Sequence, residues 1–171
     1  AAGGFLFYVM PFVDGETLRT RLTRVRQLPI PEAMLIAREV AEALAYAHSF
    51  GLIHRDIKPD NVLISGRHAL VADFGLAKAV SEAGGSVKLS GVGLPLGTPA
   101  YMSPEQLHGL WREFGPWTDL YALGCMAYEM ATGRLPFEGG SPLETAMAHV
   151  LEPGPQLEPR FAVPAIFEAW V

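Results

Sequence analysis

The chain has 171 residues, of which half are apolar and 18% are charged, a composition typical of one globular domain and not of a disordered chain. The formal net charge is −5 and the charges form no basic stripe, which argues against a nucleic-acid partner. The single cysteine, Cys125, excludes an internal disulfide and a cluster of zinc-binding thiolates, and no apolar run is long enough to span a bilayer.

The first third of the chain predicts one strand and two helices. Phe5–Val13 is a short aromatic and β-branched run, which favours a buried strand, and a turn follows it. Residues 16–27 predict a helix whose four arginines face solvent. Pro31 and Gly51 bracket the clearest amphipathic helix. Its apolar positions follow helical spacing at Ala33, Ile36, Ala37, Val40, Ala41, Leu44 and Ala47.

The remainder predicts a hairpin, a long loop and two more helices. Val62–Ile64 and Leu70–Ala72 read as short strands joined around residues 65–66. Residues 76–104 are rich in Gly, Ser and Pro, and long loops of this kind are usually functional. A helix is expected from Thr118 or Asp119, either of which can cap it, to about residue 132, and another over residues 142–151.

The chemistry is concentrated in the run His54-Arg55-Asp56-Ile57-Lys58-Pro59-Asp60-Asn61, which is followed by Asp73-Phe74-Gly75. These segments supply two carboxylates, an ammonium and an amide. The predicted hairpin would return Asp73 to the side of Asn61. Transfer of a phosphoryl group needs such a set: metal ligands, a group that orients the nucleophile, and positive charge near the moving phosphate.

The two segments match the H-R-D-x-K-x-x-N and D-F-G motifs of protein kinases. Further stretches match in the family's order. Residues 8–13 resemble the last N-lobe strand and the hinge, 97–105 the end of an activation segment, and 119–124 with 135–137 the central C-lobe helix and the segment after it. The chain thus resembles the eukaryotic-type (Hanks-type) serine/threonine protein kinases, and its Ala-, Gly- and Pro-rich style resembles bacterial members.

The resemblance implies a protein-kinase-like α+β fold: a mainly α-helical C-terminal lobe with a small β-hairpin that carries the catalytic loop. Residues 1–171 would be a partial kinase domain, with 1–13 as the last N-lobe strand and hinge and 14–171 as a C-lobe cut short. The Gly-rich loop and the strand lysine of the family are not in these residues. We therefore expect these residues alone to be inactive, with an exposed apolar cleft.

The resemblance also implies roles for individual residues. Asp56 would accept or orient the proton of the substrate hydroxyl, and Lys58 would neutralise the transferring γ-phosphate. A lysine at this position favours serine and threonine over tyrosine as substrates. Thr98 would bond to Asp56 and Lys58 and support the preference for serine and threonine.

The implied cofactors are ATP and Mg²⁺. Asn61 and Asp73 would ligate Mg²⁺ through oxygen atoms. The other expected nucleotide contacts are the gatekeeper, the two hinge residues whose backbone faces the adenine edge, the adenine floor and the phosphate lysine: Met10, Pro11, Val13, Leu63 and Lys58.

Other motif residues look architectural. His54 and Phe74 would stack in the hydrophobic spine, and Asp119 would hold the catalytic loop from below. Arg55, directly before the catalytic aspartate, implies control by a phosphorylated activation loop. The candidate sites are Ser81, Ser86 and Ser90, with either of the last two as our hypothesis.

Three other functions remain open at this stage. A pseudokinase scaffold usually lacks one of the three catalytic or metal-binding residues, all of which are intact here. A small-molecule phosphotransferase of the kinase-like superfamily usually lacks the long activation segment, and a structural protein without ligand is the weakest alternative. The expected partners are protein substrates with serine or threonine. The expected location of the kinase domain is cytoplasmic, within a full-length protein that could be anchored to a membrane and could form a dimer.

Overall fold

The computed structural model describes residues 12–74 and 99–158. In these residues a small antiparallel sheet lies against a mainly helical body. The strands are β1 (Glu16–Thr17), β2 (Val62–Ser65) and β3 (His68–Val71). The α-helices are α1 (Leu18–Val25), α2 (Ile30–Ser49), α3 (Pro104–Leu107), α4 (Pro116–Thr132) and α5 (Pro142–Leu151).

The predicted hairpin is confirmed, and a third strand joins it. β2 pairs with β3 from Val62 opposite Val71 to Ser65 opposite His68, and β1 pairs with the other edge of β2. The sequence pattern placed residues 16 and 17 in a helix, so this strand is a correction. Gly15 permits the close approach, because a Cβ there would lie 2.2 Å from the carbonyl oxygen of Ile64.

Helix α1 is shorter than the predicted 16–27 segment. The Thr17 hydroxyl caps it by accepting a hydrogen bond from the Thr20 backbone at 3.1 Å. Arg26, with φ of 63°, ends it. The expectation that all four arginines face solvent is wrong for Arg19. The guanidinium of Arg19 turns inwards against α4, as described below.

The core lies between α2 and α4. The apolar stripe predicted for α2 is largely buried, and α4 buries residues on most of its circumference. Cys125, Met126 and Met130 are core residues. Burial raises the pKa of the Cys125 thiol to about 12, so this side chain is an inert part of the packing.

Helix α4 begins two residues before Thr118 and three before Asp119, the two predicted caps. Pro116 opens it, and the Thr118 hydroxyl accepts a hydrogen bond from the Gly115 backbone at 3.2 Å. Asp119 therefore lies inside the first turn and its carboxylate is available for other partners. Gly133, with φ of 74°, ends the helix as predicted.

Parts of the predicted organisation lie outside the described residues, including most of the strand at Phe5–Val13 and the predicted loop up to residue 98. Phe12 and Val13 themselves lie in no strand. The end of that loop is ordered instead as a 3-10 turn at Pro99–Tyr101 followed by α3. Within the described ranges, no helix has the length and apolar character needed to cross a membrane.

Candidate active site

The catalytic loop is anchored by one buried carboxylate. Asp119 is 1% exposed and accepts hydrogen bonds from the backbone nitrogens of His54 at 2.8 Å and Arg55 at 2.7 Å. The ring of His48, at the end of α2, lies 2.7 Å from the same carboxylate. The expected role of Asp119 as the support beneath the loop thus has a direct geometric basis.

Above this anchor, three predicted site residues come together. The Lys58 ammonium donates to both carboxylate oxygens of Asp56, at 3.0 and 2.8 Å. The Asn61 amide donates to the Asp56 carboxylate at 2.9 Å and to its backbone carbonyl at 2.8 Å. The side chain of Asp56 is 47% exposed and that of Lys58 is 32% exposed, so a substrate can reach both groups.

The end of β3 is tied to the same loop. The Ala72 backbone donates to the Asn61 carbonyl at 2.9 Å, and the His54 ring bonds the Ala72 carbonyl at 2.8 Å. The ring of Phe74 packs edge-on against His54 at 4.6 Å, the stacking expected from the motif. These contacts bring Asp73, which directly follows Ala72, back towards Asn61.

Two residues of the site have left-handed backbone conformations. Arg55 has φ of 71° and Asp73 has φ of 64°, which side chains with a Cβ rarely adopt. Such conformations cost of order 1–3 kcal/mol each and cluster at functional sites, where the surrounding contacts hold them. Here the two positions lie at the start of the catalytic loop and at the predicted metal ligand.

The Arg55 side chain packs against an aromatic ring at the start of the catalytic loop. Its guanidinium packs over the ring of Phe114 at 5.8 Å, and its buried Nε has no hydrogen-bond partner among the residues that the structure describes. Gln106 holds the backbone beneath it by donating to the Arg55 carbonyl at 2.8 Å. Sequence reasoning assigned no role to Gln106, because its partner lies 51 positions away.

The predicted nucleotide contacts are covered only in part. Leu63 is half-buried on β2, between Thr17 of β1 and Leu70 of β3. Val13 is also half-buried. Met10, Pro11 and Thr98 lie outside the described residues, as do Gly75 and the three candidate phosphorylation sites.

A second polar cluster, absent from the sequence prediction, lies beside Lys58. The Arg19 guanidinium donates to the Glu129 carboxylate at 2.7 Å and to the Tyr101 hydroxyl, and that hydroxyl donates to Glu129. Burial and the neighbouring Glu129 raise the pKa of Tyr101, so the phenol stays protonated. We call these three residues the Arg19 cluster.

Comparison with known proteins agrees with the motifs. Residues 3–161 match the protein kinase domain family. The chain is 42% identical over 154 residues to a serine/threonine-protein kinase, drp72, of Corynebacterium efficiens, covering 90% of this chain and 28% of that protein. It is 39% identical over 153 residues to serine/threonine-protein kinase PknB of Mycobacterium leprae, covering 89% and 24%.

A third relative, serine/threonine-protein kinase PknA of Corynebacterium glutamicum, is 40% identical over 154 residues, which is 90% of this chain and 32% of that protein. The chain thus spans between about a quarter and a third of the length of these curated relatives. The family match covers nearly all of the chain and includes both motif segments. The chain therefore belongs to the protein kinase family and resembles its Hanks-type serine/threonine members from bacteria.

Proposed function

We propose that the complete protein transfers the γ-phosphoryl group of ATP to serine and threonine hydroxyls of protein substrates. The observation that carries this proposal is the contact of Asp56 with Lys58 and Asn61 on a loop anchored by buried Asp119. Three named relatives that share about 40% identity are serine/threonine kinases, which supports the same substrate class.

The accessible side chains of Asp56 and Lys58 would have different roles in the reaction. The Asp56 carboxylate would orient the substrate hydroxyl and take its proton. The Lys58 ammonium, now bound to both Asp56 oxygens, would turn part of its hydrogen bonding to the γ-phosphate as the substrate hydroxyl replaces it at the carboxylate. Positive charge held at that place stabilises the transition state more than the ground state.

The chemistry of Asn61 and Asp73 fits a magnesium site. Because the Asn61 amide nitrogen donates twice to Asp56, the amide oxygen is left as the ligand atom. Carboxylate and amide oxygens suit Mg²⁺, which proteins bind through few side chains with nucleotide phosphates and water completing the shell. Bound Mg²⁺ would neutralise phosphate charge and orient the γ-phosphoryl group. Within the described ranges no larger cluster of acidic, His or Cys side chains competes for a metal.

We assign the remaining predicted contacts to the nucleotide and the acceptor. Leu63 would form the floor beneath adenine, with Met10 as gatekeeper and with Pro11 and Val13 presenting backbone groups to the adenine edge. Thr98 would contact the catalytic loop. In this assignment residues 1–13 are the last N-lobe strand and hinge, and residues 14–171 belong to the C-lobe.

The expected partners and location follow from this chemistry. Protein substrates would enter beside Lys58, and a cytoplasmic kinase domain would have access to ATP.

The test uses the protein expressed from its complete gene. We expect Mg²⁺-dependent transfer of labelled phosphate from ATP to serine and threonine peptides but not to tyrosine peptides. Asp56→Asn should lower kcat by about 10²–10⁴-fold, because the nucleophile loses its oriented base. The matched control is Glu42→Gln, because the Glu42 carboxylate on α2 is 68% exposed. This variant should leave kcat unchanged.

The magnesium assignment has its own readout. Asp73→Asn should raise the Mg²⁺ concentration needed for half-maximal activity, because a neutral amide replaces a charged ligand. Failure of the wild-type protein to transfer phosphate, together with binding of a protein partner, would favour the pseudokinase scaffold. Transfer to a small alcohol and not to peptides would favour a small-molecule phosphotransferase.

A further inference from the structure

A cavity of about 540 Å³ opens directly beside Lys58. Lys58 and Asp60 from the catalytic loop form one side. Arg19 of α1 and Glu129 of α4, which are far apart in the sequence, form the other. Because Lys58 lines this cavity, a substrate segment bound at Lys58 lies next to it. Its electrostatic character therefore bears on which substrates bind.

The Arg19 side chain places a positive charge against the carboxylates of this cavity. The Arg19 guanidinium contacts Glu129 at 2.7 Å and Asp60 at 3.5 Å, so both carboxylates of the cavity meet the same arginine. The Tyr101 hydroxyl bonds both Arg19 and Glu129 and fixes this arrangement. Burial by itself lowers the pKa of Arg19, but the hydrogen bond to Glu129 and the nearby charges outweigh burial and raise the pKa.

Arg19 supplies the positive charge that both carboxylates of the cavity contact. Arg19 and Lys58 contribute two positive charges, and Asp60 and Glu129 contribute two negative charges. The Lys58 charge is already engaged by Asp56. Without Arg19, Glu129 and Asp60 would face the cavity as two carboxylates whose spacing matches one guanidinium, since they already hold one.

We propose that Arg19 is a specificity-determining residue, and that its guanidinium occupies the acidic side of this cavity in place of a basic substrate side chain. The wild-type enzyme should then show no higher kcat/KM for substrates with arginine, instead of a neutral residue, at the position that reaches the cavity. A neutral side chain should enter instead and pack towards Leu135, which also lines the cavity. The inference rests on the function proposed above, because it concerns the peptide substrate of the same site.

The experiment compares matched peptides with the protein from the complete gene. Each peptide has one threonine acceptor and differs only by arginine or glutamine at one of the positions on either side. The measured quantity is the ratio of kcat/KM for the arginine peptide to that for the glutamine peptide. We expect this ratio to be about one or lower in the wild type at every position.

Arg19→Ala should raise the ratio about fivefold at one position, the change expected for a partly exposed ion pair of about 1 kcal/mol. Arg19→Ala combined with Glu129→Gln should return the ratio towards the wild-type value, because the buried carboxylate is removed. Arg24→Ala is the control, since Arg24 is 61% exposed and pairs with Glu16 away from the cavity. It should leave every ratio unchanged.

A purely structural role for Arg19 predicts a different outcome: lower stability with unchanged ratios. Active Arg19→Ala protein whose ratio stays within twofold of wild type at every position would overturn the inference. If Arg19→Ala does not fold, as judged by thermal unfolding, Arg19→Gln takes its place because its amide can still donate to Glu129. The same unchanged ratio in that variant overturns the inference. Wild-type protein that phosphorylates no peptide contradicts the proposed function instead.

Discussion

The catalytic loop and the Arg19 cluster lie side by side but are built in opposite ways. The groups of the loop, Asp56, Lys58 and Asn61, come from six consecutive positions, and the reactive pair Asp56 and Lys58 is partly open to solvent while Asn61 is buried. The Arg19 cluster joins residues separated by as many as 110 positions, and its Tyr101 and Glu129 are buried. The first arrangement exposes charge for chemistry, and the second neutralises charge next to it.

The two arrangements are vulnerable at different points. The geometry of the loop depends on Asp119, one buried anchor that receives two backbone hydrogen bonds. The Arg19 cluster depends on three side chains satisfying one another, so loss of one member leaves the other two partly paired. We therefore expect one large effect at the anchor and smaller, graded effects in the cluster.

The largest effect is expected for Asp119→Ala. Two backbone nitrogens and the His48 ring would lose their acceptor in the interior, which should lower the free energy of unfolding by about 3–4 kcal/mol. The displaced loop should also lower kcat. Urea denaturation and phosphate transfer measure the two effects, with exposed Glu152→Ala as the control. Full activity in Asp119→Ala would show that the loop holds its shape without the anchor.

The second largest effect is a loss of stability at acid pH caused by His149, which contacts the 3-10 turn at Pro99–Tyr101. Burial lowers the pKa of His149 to about 4 from its ordinary 6.5, although the Ala100 carbonyl opposes this shift. Between these two pH values His149 is protonated in the unfolded chain but neutral in the folded chain. The free energy of unfolding should therefore fall by about 2 kcal/mol as the pH drops from about 6.5 towards 4. His149→Asn should flatten this slope in urea denaturation series. An unchanged slope would locate the acid sensitivity elsewhere.

A smaller effect is expected within the Arg19 cluster. Tyr101→Phe removes the hydroxyl that bonds both Arg19 and Glu129 but keeps the ring and the direct ion pair. We expect a loss of about 1 kcal/mol in the free energy of unfolding and little change in kcat. A loss as large as that of Asp119→Ala would remove the contrast between the two regions.

The smallest effect is expected for Arg24→Ala. Arg24 is on the same helix as Arg19 and also forms an ion pair, but it is 61% exposed. Exposed pairs of this kind contribute about 0–1 kcal/mol, so the thermal midpoint should hardly move. Together with Arg19→Ala this variant separates the partly buried Arg19 from the exposed Arg24.

Much of the fold followed from local patterns. The amphipathic period of α2, the turn between β2 and β3 and the stop at Gly133 are all properties of short segments, and all were predicted. The same holds for the cluster of Asp56, Lys58 and Asn61, because residues within six positions on one tight loop cannot separate far. The roles of these residues remain predictions until the variants above are measured.

Other features depended on packing between distant segments. The pairing of Glu16 with Ile64, the cap-like start of α4 at Pro116 and the inward turn of Arg19 have no periodic signal of their own. A helical pattern shows which residues share a face, but it does not show what lies opposite that face. Arg19 and Arg24 therefore look alike in the amino-acid sequence, and only the position of Glu129 on α4 makes one of them part of the candidate site.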